Sequence, residues 1–136
     1  MNQSSKEPIM EIRVACQESF RLEGATKDIV MIPFTGEAVG PLFHGHVIGT
    51  GVDTQKIGKD GKMVLSARYM MEGTDCEGKP CRVFVENQGS FDVGFVPTMV
   101  TDSAALAELE TTELVATVEG APGGVIVRIF RKKQHS

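Results

Sequence analysis

Two runs in which apolar and polar residues alternate, Met63 to Glu72 and Cys81 to Gln88, limit this chain more than any other feature. The loop between them, GTDCEGKP, carries glycine and proline, so the pair reads as one antiparallel hairpin. Setting Glu72 opposite Arg82 and Arg68 opposite Glu86 places opposite charges across the strands on one face. The other face then carries Ala67, Tyr69, Met71, Val83, Val85 and Asn87. That face, apolar except for a phenol and a carboxamide, is the expected interior, because a shift of one residue would expose all of it. A glycine-punctuated lead-in (Gly36, Gly40, Pro41, Gly45, Gly49, Gly51, Asp53) precedes the hairpin, with Gly49 to Asp53 read as a turn.

Short strands account for most of the rest. Pro8 to Cys16 alternates with Met10, Ile12, Val14 and Cys16 on one side, and Phe20 and Leu22 extend it after a kink. Ile29 to Thr35 is nearly all apolar but contains Pro33, which points to a sheet edge or a bulge. Pro41 to Gly49 forms another strand, and Asp60-Gly61 a tight turn. Asp102 to Glu110 is the helical stretch, with Asp102 or Ser103 as its N-cap. Glu113 to Val118 and Val125 to Arg131 close the chain as strands around the loop EGAPGG. The expected fold is an all-β, antiparallel, up-and-down β-barrel of about eight strands, with one short helix near 102–110. Eight strands leave an interior filled by side chains or room for one small ligand.

A chain of 136 residues reads as a single domain, 1–136, with flexible ends at 1–7 and 132–136. Net charge is −4, Trp is absent and there is one Tyr, so the basic face and stacking aromatics of a nucleic-acid binder are not expected. The basic cluster Arg128, Arg131, Lys132, Lys133 reads as a solvated tail. No run of about 18 apolar residues is present to span a bilayer as a helix, and MNQSSKEPIM has no apolar export segment, so the default expectation is cytoplasmic. Cys16, Cys76 and Cys81 are an odd number and are expected as reduced thiols, with a facultative bridge conceivable between Cys76 and Cys81.

Four places could carry chemistry. His44-Gly45-His46 sets two imidazoles on one side of a strand, the beginning of a metal site, but Thr50 and Gly51 stand where a cupin would have its glutamate. His135 lies far off in the tail, so a rim pair without metal is the expectation. Tyr69 and Asn87 on the interior face can orient a carbonyl or hydroxyl of a small organic molecule, or can satisfy each other or a buried water. Arg68 faces outward on the register above; one residue of slip would turn it inward, with Asp53 as its carboxylate partner. No nucleophile elbow, phosphate loop or dinucleotide motif is present, and no cofactor is expected.

Taken together, Gly36 with Gly40-Pro41, Gly45-x-Val47, Gly49-Thr50-Gly51-Val52-Asp53, Ala67-Arg68-Tyr69 and Val85-x-Asn87-x-Gly89 resemble a family of small microbial proteins known only as a domain of unknown function with a lipocalin-like barrel. The likeness runs from Phe34 to Gly89 and again through Pro97 to Thr101 and Gly123 to Phe130. It implies an antiparallel barrel with a small polar-lined cavity and no settled activity. This chain departs from the pattern at Ala105 to Thr112, where the family usually has Tyr-x-Trp-Leu-Asn, and shortens the excursion after Gly89 to Ser90 to Val96. The expected function is therefore binding of a small, partly apolar organic molecule, with Tyr69, Asn87, Arg68, Asp53, His44 and His46 as candidate contacts. The alternative is an enzyme of isomerase, cyclase or hydratase type in the same cavity, with Tyr69 or Asp53 as acid or base. A homodimer through Ile29 to Thr35 is the third expectation.

Overall fold

Alternation at period two carries through nearly the whole chain. The computed structural model describes residues 7–132, so the expected loose ends fall almost wholly outside the described residues. Ten strands appear: β1 (Met10–Cys16), β2 (Phe20–Glu23), β3 (Lys27–Val39), β4 (Phe43–Val47), β5 (Gly51–Gly58), β6 (Met63–Asp75), β7 (Pro80–Ser90), β8 (Gly94–Thr101), β9 (Leu114–Ala121) and β10 (Gly124–Arg131). Every pairing is antiparallel. Around the wall the order is β1, β10, β9, β8, β7, β6, β4, β3, and β3 returns to β1. Because β2 continues β1 along β3, and β5 follows β4 between β3 and β6, the ten segments make eight staves of a closed barrel.

The central hairpin has the register that its charges imply. Arg68 lies opposite Glu86, Glu72 opposite Arg82 and Ala67 opposite Asn87. The ion pairs measure 3.0 Å for Arg68 with Glu86 and 3.1 Å for Arg82 with Glu72, and both cations are well exposed. Exposed pairs of this kind are worth roughly 0–1 kcal/mol, so they report the register more than they hold it. Burial holds it: Tyr69, Met71, Val83, Val85 and Asn87 are all buried, and each large apolar side chain removed from water contributes about 1.5–3 kcal/mol.

Three expectations are corrected. Gly51 to Asp53, read as part of a turn, opens a full strand, β5, and FVPTMVT, to which no element was assigned, forms β8 in spite of Pro97. Pro97 is accommodated because β8 is laddered to β7 along its length but meets β9 only at Phe95 with Ala116, so one missing N–H costs little there. Pro33 is not at an edge: β3 is bonded on both sides, and the break between β1 and β2 lies beside it, where the Gln17 N–H donates to the Pro33 carbonyl at 2.8 Å. Ile29 to Thr35 therefore offers no free edge for a second copy. The third correction is the helix, which is only a 3-10 turn at Ala107–Glu110. No helix of the described residues is long and apolar enough to cross a membrane.

One end of the barrel is packed solid. Met10, Ile12, Phe43, Met71, Val83 and Ile129 are almost completely buried there, and Leu106 and Leu109 from the segment after β8 press onto them as a plug. Ser103 fixes that plug. Its hydroxyl donates to Asp75 Oδ2 at 2.7 Å and accepts from the Leu106 N–H at 3.2 Å. Asp75 meanwhile accepts from the Glu77 and Lys79 N–H groups at 2.8 and 3.0 Å, tying the β6–β7 loop to the same point. Replacing Ser103 by Ala is expected to cost about 1–3 kcal/mol by leaving these buried groups short of a partner. Urea unfolding monitors this, and an unchanged midpoint would remove Ser103 as the anchor of the plug.

Candidate functional site

Below the packed end the barrel changes character at one layer. The Phe34 and Tyr69 rings meet edge to face, with centroids 5.4 Å apart and planes at 72°. They can do so because Gly51 lies between them: a Cβ there would sit 2.5 Å from Phe34 Cζ and 2.7 Å from Tyr69 Cβ. Beyond this layer the interior is a cavity of about 140 Å³. Its walls include Val14, Ile32, Leu65, Val118, Val125 and Val127, and Cys16 and Phe91 also line it. Cys16 is exposed, and Phe91, itself largely exposed, rests edge-on against buried Phe95 at 5.1 Å.

Three oxygen-bearing side chains meet in this cavity around the smallest residue of its wall. Asp53 on β5 pairs with Ala67 on β6, and Ala67 pairs with Asn87 on β7, so carboxylate and carboxamide flank a methyl group in one cross-strand row. Tyr69 stands two residues along β6 on the same face. The closed wall turns all three toward the axis. The Gln55 Nε2 donates to Asp53 Oδ2 at 3.0 Å. Asp53 Oδ1, the Tyr69 hydroxyl and, with the amide as oriented here, Asn87 Oδ1 are buried without a hydrogen-bond partner among the described residues. Such atoms are costly to bury unsatisfied, about 1–3 kcal/mol each, so their convergence in one cavity marks it as a place for something that bonds to them.

The electrostatics follow from burial. Desolvation raises the Asp53 carboxyl above its ordinary value, opposed only in part by the Gln55 hydrogen bond. It likewise raises the Tyr69 phenol, which stays protonated at any physiological pH. Burial first and the Asp53 charge second raise the Cys16 thiol, so that thiol is a poor nucleophile. Among the described residues no Lys, Arg or His lines the cavity.

The remaining candidates lie elsewhere. Arg68 points outward and pairs with Glu86, so the inward alternative with Asp53 does not occur. His44 and His46 are exposed on the outside of β4, opposite Thr74 and Glu72. Among the described residues no three His, Cys, Asp or Glu side chains gather as a metal would need, and His135 lies outside them. The three cysteines are free, with Cys81 buried and Cys76 exposed. A larger concavity of about 840 Å³ lies on the outer face between Met31, Thr54, Val64, Arg68, Gln88 and Val96. It is open to solvent, and Arg68 and Gln88 already bond to Glu86 at 3.0 Å; only the Ser66 hydroxyl is left over there. Gln55 and Phe91 line the inner site and were not singled out from the sequence. Gln55 follows Asp53 by two positions, the spacing that would have revealed it once β5 was recognised as a strand.

A family model described as protein of unknown function (DUF3237) matches residues 4–95. No curated protein matches the chain. Among solved structures, a protein of unknown function from Clostridium acetobutylicum ATCC 824 superposes with a TM-score of 0.78 at 22% identity, over 92% of this chain and 94% of its own. A β-barrel-like protein from Acinetobacter baumannii AYE gives 0.75 at 16% identity, over 92% and 93%. An enzyme from Penicillium herquei gives 0.70 at 15% identity, over 96% and 100%. At these identities the likeness establishes the barrel fold.

Because the folded chain holds the Asp53 proton to higher pH than the unfolded chain does, the stability linked to it is present below the ordinary carboxylate range. It is lost as pH rises through the raised value. Asp53→Asn is accordingly expected to unfold at higher urea than the parent near neutral pH, with the difference shrinking in acid. Parallel stability curves for the two proteins across that range would show that Asp53 is not desolvated.

Proposed function

The chain belongs to the DUF3237 family of proteins of unknown function, and from the geometry of its lumen we propose that it binds a small, partly apolar organic molecule inside the barrel. The observation that carries this reading is the set of unpartnered oxygens on Tyr69, Asn87 and Asp53, which face one cavity whose other walls are apolar. The apolar wall takes the body of the guest and the polar row around Ala67 takes its functional group. Arg68, His44 and His46 are not part of this reading, since all three lie on the outer surface.

A second reading, catalysis on a small substrate in the same cavity by an isomerase, cyclase or hydratase chemistry, draws support from Asp53. Its free Oδ1 and raised affinity for a proton suit a general base, and Tyr69 offers a proton donor beside it. A structural neighbour at 15% identity is described as an enzyme. Loss of turnover in both Asp53→Asn and Tyr69→Phe, once a substrate is in hand, separates this reading from simple binding.

Screening a fragment library by two-dimensional NMR is expected to shift the amides of Ala67, Tyr69 and Asn87 with compounds of single-ring size. Ala67→Leu, which fills the space between Asp53 and Asn87, is expected to weaken those compounds at least about tenfold while the outer-face amides stay in place. Binding that leaves the lumen amides unmoved, or that survives Ala67→Leu intact, would overturn the proposal.

A further inference from the structure

The three unpartnered atoms share a property that narrows the guest. Each is an oxygen with a lone pair to give: a carboxylate Oδ1, a carboxamide Oδ1 and a phenol oxygen. Asp53 and Asn87 approach from opposite sides of Ala67, and Tyr69 stands above them on β6. The Gln55 amide is occupied with Asp53 Oδ2 at 3.0 Å, and the protonated Tyr69 hydroxyl keeps its own O–H beside its lone pairs. A nest of three oxygens that holds a carboxylate, with no Lys, Arg or His among the described residues of its walls, is matched by a group with N–H donors and one positive charge. We infer that the guest is a primary amine, bound as its ammonium ion, with the nitrogen in the nest formed by Asp53, Tyr69 and Asn87 and a small apolar body in the cavity beyond. This inference rests on the cavity-binding reading above and specifies its polar end.

Size and charge agree with it. An apolar cavity of roughly 150 Å³ accommodates benzene, and this one, at about 140 Å³, is of the size for one ring and a short stem. A carboxylate or phosphate would face Asp53 with no cation to offset the repulsion. A neutral alcohol would leave the buried carboxylate without its counter-charge. The titratable groups that face Asp53 are Cys16 from β1 and Tyr69 from β6, and both are held neutral, so neither competes with the guest for the carboxylate. The facing residues Ile32 of β3, Gln55 of β5 and Ala67 of β6 carry no charge.

The test compares benzylamine with benzyl alcohol, which share a ring and a stem and differ in the donor group. On the full chain near neutral pH, titration calorimetry is expected to show benzylamine binding at least about tenfold tighter, with NMR shifts at Ala67, Tyr69 and Asn87. In Asp53→Asn, an isosteric change, the preference for the amine over the alcohol is expected to vanish. Benzylamine affinity in the parent protein is also expected to fall as pH drops through the Asp53 titration, which benzyl alcohol would not follow. Equal or tighter binding of the alcohol, or a preference that persists in Asp53→Asn, overturns the amine assignment and leaves cavity binding standing. If neither compound moves the lumen amides, both fall together.

Discussion

The contact between Phe34 and Tyr69 divides this barrel into two kinds of interior. Edge-to-face aromatic pairs add about 0.5–1.5 kcal/mol beyond the area they bury, and here the pair also decides where packing stops. On its inner side aliphatic side chains from every stave interlock under the plug of Leu106 and Leu109. On its outer side the staves carry valines, an alanine and three oxygen-bearing groups, which together do not fill the lumen. Gly51 is what permits the arrangement, since a side chain at that position would displace one ring or the other. The phenol thus closes the core with its ring, while its hydroxyl is left without a partner among the described residues.

How much of this was legible in the sequence follows from what each segment had to say locally. The β6–β7 hairpin could be read to the residue because two cross-strand charge pairs and one apolar face agree on a single register. β5 could not, because its glycines resemble turn punctuation. Their cause is tertiary: Gly51 leaves room for a ring contributed by β3, which no local pattern announces. β8 was hidden by Pro97, whose lost hydrogen bond matters little only because β9 diverges from it. The helical reading of Asp102 to Glu110 failed for the opposite reason. Good helix formers are present, but the segment spans the barrel end, where Ser103 and Asp75 hold it to two tight turns and Leu106 and Leu109 must both point inward.

For the site, the hairpin face placed Tyr69 and Asn87 directly, while Asp53 entered only through a motif and as a partner for Arg68. Closure of the sheet is what separates Asp53 from Arg68. Neighbouring strands carry their side chains alternately in and out, so Val52 lies opposite Arg68 and faces out with it, whereas Asp53 lies opposite Ala67 and faces in. The carboxylate thereby loses the cation that the sequence offered it and acquires Gln55, which bonds one oxygen and leaves the other free. Where an ion pair would neutralise the charge, this hydrogen bond only orients it.

The plug anchored by Ser103 has a consequence for traffic. With one end of the tube stoppered by leucines, the unfilled part of the lumen is a blind recess and not a channel through the barrel.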